Sequence, residues 1–175
     1  YKVSDDKLTW TVTIRDDAKF TDGEKVTAQD VAFTYQTAKE SGSEIDLTMI
    51  DKITVKDDTT IEFKLNRTYS AFMERLAYLG IVPEHAYDEN FKDNPIGSGP
   101  YEFVQWDKGQ QVIAKANENY YGDKPQIKQL TMVFLDTDAA YSAVQKGDVD
   151  VCQINGNLAD KKVDGAKVID IDSIE

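Results

Sequence analysis

Very few side chains in this sequence could carry out chemistry. His85 is the only histidine and Cys152 the only cysteine among 175 residues. A catalytic triad needs an imidazole beside a hydroxyl and an acid. His85 instead follows Pro83-Glu84, a sequence that suits the start of a short surface helix. With no second His or Cys, neither a soft-donor metal cage nor an internal disulfide can be assembled. Cys152 lies in Val149-Asp150-Val151-Cys152-Gln153-Ile154, which reads as a buried strand carrying an inert core thiol.

The acidic residues invite a calcium reading, but an EF-hand loop needs ligands at fixed alternate positions, a central Gly and a terminal Glu. Asp16-Asp17 and Asp57-Asp58 lack that spacing, and Asp170-Ile171-Asp172 lacks the Gly. Turns and helix caps account for them better. Gly97-Ser98-Gly99 has the look of a phosphate loop, yet Pro100-Tyr101 stands where a Lys-Ser/Thr pair would have to be. Its glycines suit a positive φ or a close backbone approach. Two readings stay open for this loop, a structural turn or a hinge-adjacent element facing a cleft. No catalytic residue, metal site or cofactor is expected.

The charge balance agrees. With 32 acidic and 20 basic residues the formal charge is −12. Nucleic-acid binding calls for a basic patch, which is missing here; the acidity reads first as a solubility device. No apolar run is long enough to span a bilayer.

The elements that would position any site follow from periodicity. Leu8, Trp10, Val12 and Ile14 alternate with polar residues as in a half-buried strand. Thr27-Ala28-Gln29-Asp30 has the form of a capping box. It opens a helix with Ala28, Val31, Ala32, Tyr35 and Ala38 on one face and Gly42 at its end. Ile53-Val55 and Ile61-Phe63-Leu65 flank a turn and predict a hairpin. A second helix is predicted over 69–79, and Pro83–Tyr87 suits a short helical turn. Tyr78 to Val82 reads either as a buried strand or as a cleft edge. Paired strands over 101–106 and 111–116 surround Asp107-Lys108-Gly109. A strand over 127–135 precedes a helix capped by Asp136 or Thr137 and ended by Gly147. The polar stretch Glu89–Asn94 suggests a boundary between residues 1–94 and 95–175.

Taken in order, Leu8–Tyr35 with its Phe20-Thr21-Asp22-Gly23 turn, then Pro95-Ile96-Gly97-Ser98-Gly99-Pro100-Tyr101, then Gly147-Asp148-Val149-Asp150-Val151, closely resemble the extracytoplasmic solute-binding proteins of peptide and nickel ABC importers. The resemblance implies a mixed α/β, class II periplasmic-binding-protein-like fold. Residues 1–94 would form a small mixed-sheet N-terminal subdomain, and 95–175 part of the first main lobe. It implies a fragment, because a second lobe and parts of the first are expected to lie outside it. The implied function is not enzymatic: capture of oligopeptides by lobe closure and delivery to membrane permease subunits. The implied location is the periplasm or the cell surface, with membrane attachment through the permease or a lipid anchor.

By the same resemblance, two segments approach the solute: Ile45, Leu47 and Met49 after the first helix, and Tyr78, Leu79, Gly80 and Ile81. Nickel-binding members place an Arg in the region of the second segment, where this chain has Leu79-Gly80-Ile81, a departure that favours peptide over chelated nickel. Alternatives are a nickel-chelate binder of the same family and the ligand-sensing domain of a transcriptional regulator. An extracellular hydrolase is disfavoured for want of a nucleophile–base pair. With one cleft wall missing, weak or no solute binding is expected of the 175 residues alone.

Overall fold

The computed structural model describes residues 1–42, 45–154, 158, 163 and 165–169. The alternating strand and the hairpin build a four-stranded antiparallel sheet. Its strands are β1 (Lys2–Val3), β2 (Thr9–Thr13), β3 (Ile50–Val55) and β4 (Thr60–Leu65), in the order β1-β2-β4-β3. The register sets Trp10 and Ile53 on either side of Phe63, and Val12 and Val55 on either side of Ile61. Matching parity across the strands puts their apolar side chains on one face.

Helix α1 (Ala28–Glu40) covers that face. Its capping box is complete: Thr27 Oγ1 accepts from the Asp30 amide, and the Asp30 carboxylate accepts from the Thr27 amide at 2.8 Å. Ala28, Val31, Ala32 and Tyr35 are buried against Ile61, Phe63 and Leu65 in one cluster. Phe63 lies edge-on to both Tyr35 and Phe72, with ring centroids 5.5 and 5.4 Å apart, a favoured aromatic geometry.

Helix α2 (Phe72–Leu76) is shorter than the predicted span of 69–79. Ala71 stands at its N-cap without a side chain to accept a backbone hydrogen bond, so nothing local holds a longer first turn. Tyr78–Val82 forms no strand. Its Val82 amide is satisfied by Thr34 Oγ1 of α1 instead of by a sheet. Pro83 then leads into a 3₁₀ turn, Glu84–Ala86, as its position suggests.

A second sheet has the order β5-β6-β7, with β5 (Tyr101–Asp107), β6 (Gln111–Ala116) and β7 (Gln129–Val133). Gly109 makes the β5–β6 turn at φ +80°, where a side chain would be strained. Helix α3 (Thr137–Lys146) is capped by Asp136 and closed by Gly147 at φ +77°. The chain divides into two compact units, Tyr1–Lys108 with Val112–Thr131, and Gly109–Gln111 with Met132–Glu175. Within the first unit the Thr21 amide donates to Gly97 O at 2.8 Å, tying the 95–101 loop to the Phe20–Gly23 turn.

Three further expectations are corrected. Val149–Ile154 is not a strand, and Val151 is 83% exposed, since no strand pairs with it among the described residues. Cys152 is accordingly half-buried and not a core thiol. Gly97 and Gly99 have no positive φ, and a Cβ on either would meet no atom within 4 Å. Asp170–Asp172 lies outside the described residues.

Candidate functional site

The two segments named for solute contact are anchored in the cluster beneath α1. Leu47 and Met49 are 3% and 0% exposed, and Ile45, Leu79 and Ile81 pack against the same cluster. The side chains of Leu47 and Met49 fill the core. An Asp46-centred turn explains why the loop buries them: the Asp46 carboxylate accepts from the Thr48 amide at 3.0 Å and from its hydroxyl at 2.6 Å. That leaves Leu47 pointing inward between two turn residues.

Tyr78, by contrast, is 70% exposed, and Gly80 is exposed beside it. Around Tyr78 lies a set of polar groups that pattern reading did not single out. Arg75 Nη2 donates to Tyr69 Oη at 3.1 Å, and its guanidinium lies 5.7 Å from the Tyr78 ring centroid. Arg67 lies 3.8 Å from the Asp46 carboxylate and 5.8 Å from the Tyr69 ring centroid. Hydrogen bonds from Thr48 hold the Asp46 carboxyl below its usual range, with smaller help from Arg67 and Arg75. The hydrogen bond to Tyr69 raises the Arg75 guanidinium further above its ordinary value.

The arrangement thus offers two guanidinium groups and two phenols beside an apolar floor. Guanidinium groups recognise carboxylates in a planar, two-point manner. The only sequence hint was the alternation of Arg and Tyr in Arg67-Thr68-Tyr69 and Arg75-Leu76-Ala77-Tyr78. Tyr69 also lines an open depression of about 660 Å³ with Tyr1, Trp10, Thr68 and Ser70.

The chain on both sides of Tyr78 is held at three points. Asp30 Oδ1 accepts from the Glu84 amide at 3.0 Å. Tyr35 Oη donates to Leu76 O. His85 Nε2 lies 2.7 Å from Asp22 Oδ2 and its ring meets Phe20 edge-on. The lone histidine therefore works as a clasp on the Phe-Thr-Asp-Gly turn. Among the described residues, no group of three or more His, Cys, Asp or Glu is placed to hold a metal ion. No helix of the described chain is long and apolar enough to cross a membrane.

Comparison with known proteins agrees with this architecture. Protein XP55 of Streptomyces lividans is 37% identical over 169 residues, covering 90% of this chain and 31% of that one. NikZ from Campylobacter jejuni, solved in complex with Ni(L-His), superposes with TM-score 0.84 at 32% identity, covering 90% of this chain and 34% of its own. AppA from Bacillus subtilis, solved with a nonapeptide, gives TM-score 0.73 at 30% identity, covering 85% and 32%. The chain therefore spans about a third of the length of these relatives. The model of the bacterial extracellular solute-binding proteins, family 5 middle, matches residues 1–173, and the chain belongs to that family.

Proposed function

We propose that these residues form part of the capture receptor of an ABC importer whose solute is an oligopeptide, taken up by closure of lobes and handed to membrane permease subunits outside the cytoplasm. The observation that carries this reading is the convergence of Ile45–Met49 and Tyr78–Ile81 on one buried cluster. A rigid floor of that kind lets a short exposed segment, Tyr78-Leu79-Gly80, meet a solute without being reorganised by it. Arg67 and Arg75 supply cations suited to a peptide carboxylate, and the exposed backbone at Gly80 suits main-chain hydrogen bonding. Closure would follow ligand by differential contact, the closed state gaining a second wall. No covalent chemistry is involved.

A nickel–histidine chelate is the second reading, favoured by the likeness to NikZ; its amino-acid carboxylates would suit the same guanidinium groups. Native mass spectrometry of a family-length protein carrying this sequence separates the two. Bound masses forming a ladder of short peptides support the first, and a single nickel-chelate mass replaces it with the second. Calorimetry on the 175 residues alone is expected to show no micromolar peptide binding, because one wall cannot bury most of a ligand's surface.

A further inference from the structure

The chain around Tyr78 takes its backbone partners from a helix face. Leu76 ends α2, and the last carbonyls of a helix have no partner within it. The Leu76 carbonyl accepts from Tyr35 Oη of α1. Past the loop 77–81 the chain runs on through Val82-Pro83-Glu84, with Pro83 extended at φ −73°, ψ 123°. Proline has no N–H, so the donors of this stretch are the amides of Val82 and Glu84. Both go to side chains of α1. Thr34 Oγ1 accepts from Val82 at 3.0 Å, and Asp30 Oδ1 accepts from Glu84 at 3.0 Å.

The spacing explains the fit. Asp30 and Thr34 share one helix face, about 6 Å apart along the axis. Alternate residues of an extended chain lie about 6.6 Å apart. Two side chains one turn apart can therefore replace a neighbouring strand for two bonds. The roles are fixed by the proton count. Thr34 has one hydroxyl proton and gives it to Asp30 O at 2.7 Å, the Val82 carbonyl at 3.4 Å being the weaker acceptor. Its lone pairs are left to accept from Val82. Asp30, Thr34 and Tyr35 are buried, and so is Pro83 between the two bonds. All these contacts lie inside the first compact unit.

We infer that Asp30, Thr34 and Tyr35 are positioning residues that fasten both ends of the loop 77–81 and set it in its solute-ready form before solute arrives. What the loop meets rests on the capture reading above. A loop ordered in advance spares the solute the cost of ordering it. Releasing one end lowers the fraction of receptor with a competent loop, and apparent affinity falls with that fraction.

The test uses a family-length protein carrying this sequence. Hydrogen exchange without solute, read by mass spectrometry, compares fragments covering 77–84 with fragments covering β4. Thr34→Val keeps the side-chain shape and removes the acceptor. Exchange over 77–84 should quicken about tenfold while β4 keeps its rate, and Thr34→Ser should restore the slow exchange. Tyr35→Phe should loosen the loop from its other end, and it carries the test where Thr34→Val fails to fold. Stopped-flow mixing with alanine oligopeptides, from dimer to nonamer, should show association about tenfold slower in Thr34→Val with dissociation unchanged. That pattern marks a lost competent population, whereas a lost contact speeds dissociation. Unchanged exchange over 77–84, or an equal rise in β4, overturns the proposal. So does an affinity lost through faster dissociation alone. A wild-type protein that takes up none of these peptides overturns the oligopeptide reading instead, while faster exchange confined to 77–84 still supports the clamp.

Discussion

Replacing Asp30 with alanine would cut the joint between α1 and the segment that carries Tyr78. Its carboxylate is 6% exposed and performs two tasks. One oxygen accepts from the Thr27 amide at 2.8 Å and the Thr27 hydroxyl at 2.7 Å, and the other accepts from the Glu84 amide at 3.0 Å. Loss of a cap costs about 1 kcal/mol. Loss of a hydrogen bond to a charged acceptor costs about 1.5–3 kcal/mol, because the donor is left unsatisfied. The sum is roughly 2–4 kcal/mol. With a urea m-value of about 2 kcal/mol/M, the unfolding midpoint should fall by about 1–2 M. Trp10, packed 5.3 Å from Phe72, reports the transition; Trp106→Phe removes the other indole. Asp30→Asn keeps an oxygen acceptor but loses the charge, and should fall between wild type and Asp30→Ala. Thr27→Ala and Asp30→Ala should be less than additive, since they share the box. A midpoint unchanged by Asp30→Ala would refute the reasoning, because it would mean that the two orphaned amides find water at no cost.

Phe63 is fully buried between Tyr35 and Phe72; Phe63→Ala should cost about 3–5 kcal/mol by chemical denaturation. Burial raises the Tyr35 phenol well above the ordinary tyrosine value of 10.0. Its contribution to stability is therefore complete below about pH 10 and declines as pH rises further. Tyr35→Phe should flatten that alkaline decline, and spectrophotometric titration should show one phenol that ionises only on unfolding. Gly147 sits at φ +77°, so Gly147→Ala should cost about 1 kcal/mol. Gly97→Ala and Gly99→Ala, with ordinary φ and open space around the new Cβ, should stay within about 0.5 kcal/mol of wild type in the same melts.

Local readings held where a few neighbouring residues set the outcome. Thr27 and Asp30 announced the start of α1, Gly109 and Gly147 the turns after β5 and α3, and the alternation at 61–65 a strand with one buried face. They broke down where an apolar run was taken to imply a strand. Tyr78–Val82 is an apolar run and Val149–Ile154 alternates apolar with polar residues, yet neither pairs with a strand among the described residues. Hydrophobicity favours burial of side chains but does not supply a partner for the backbone. The candidate site was legible only as two segments by resemblance. Which of their side chains face outward was not.

By itself, then, the sequence determined the acidic, histidine-poor character of the chain and its order of strands, caps and turns. These depend on composition and on interactions spanning a few residues. Tertiary structure alone decided the rest. It put Leu47 and Met49 in the core while leaving Tyr78 in solvent. It closed Asp22 on His85, Asp30 on Glu84 and Thr21 on Gly97. Contacts between residues more than fifty positions apart depend on the path of the intervening chain, and a local pattern holds no information about that path.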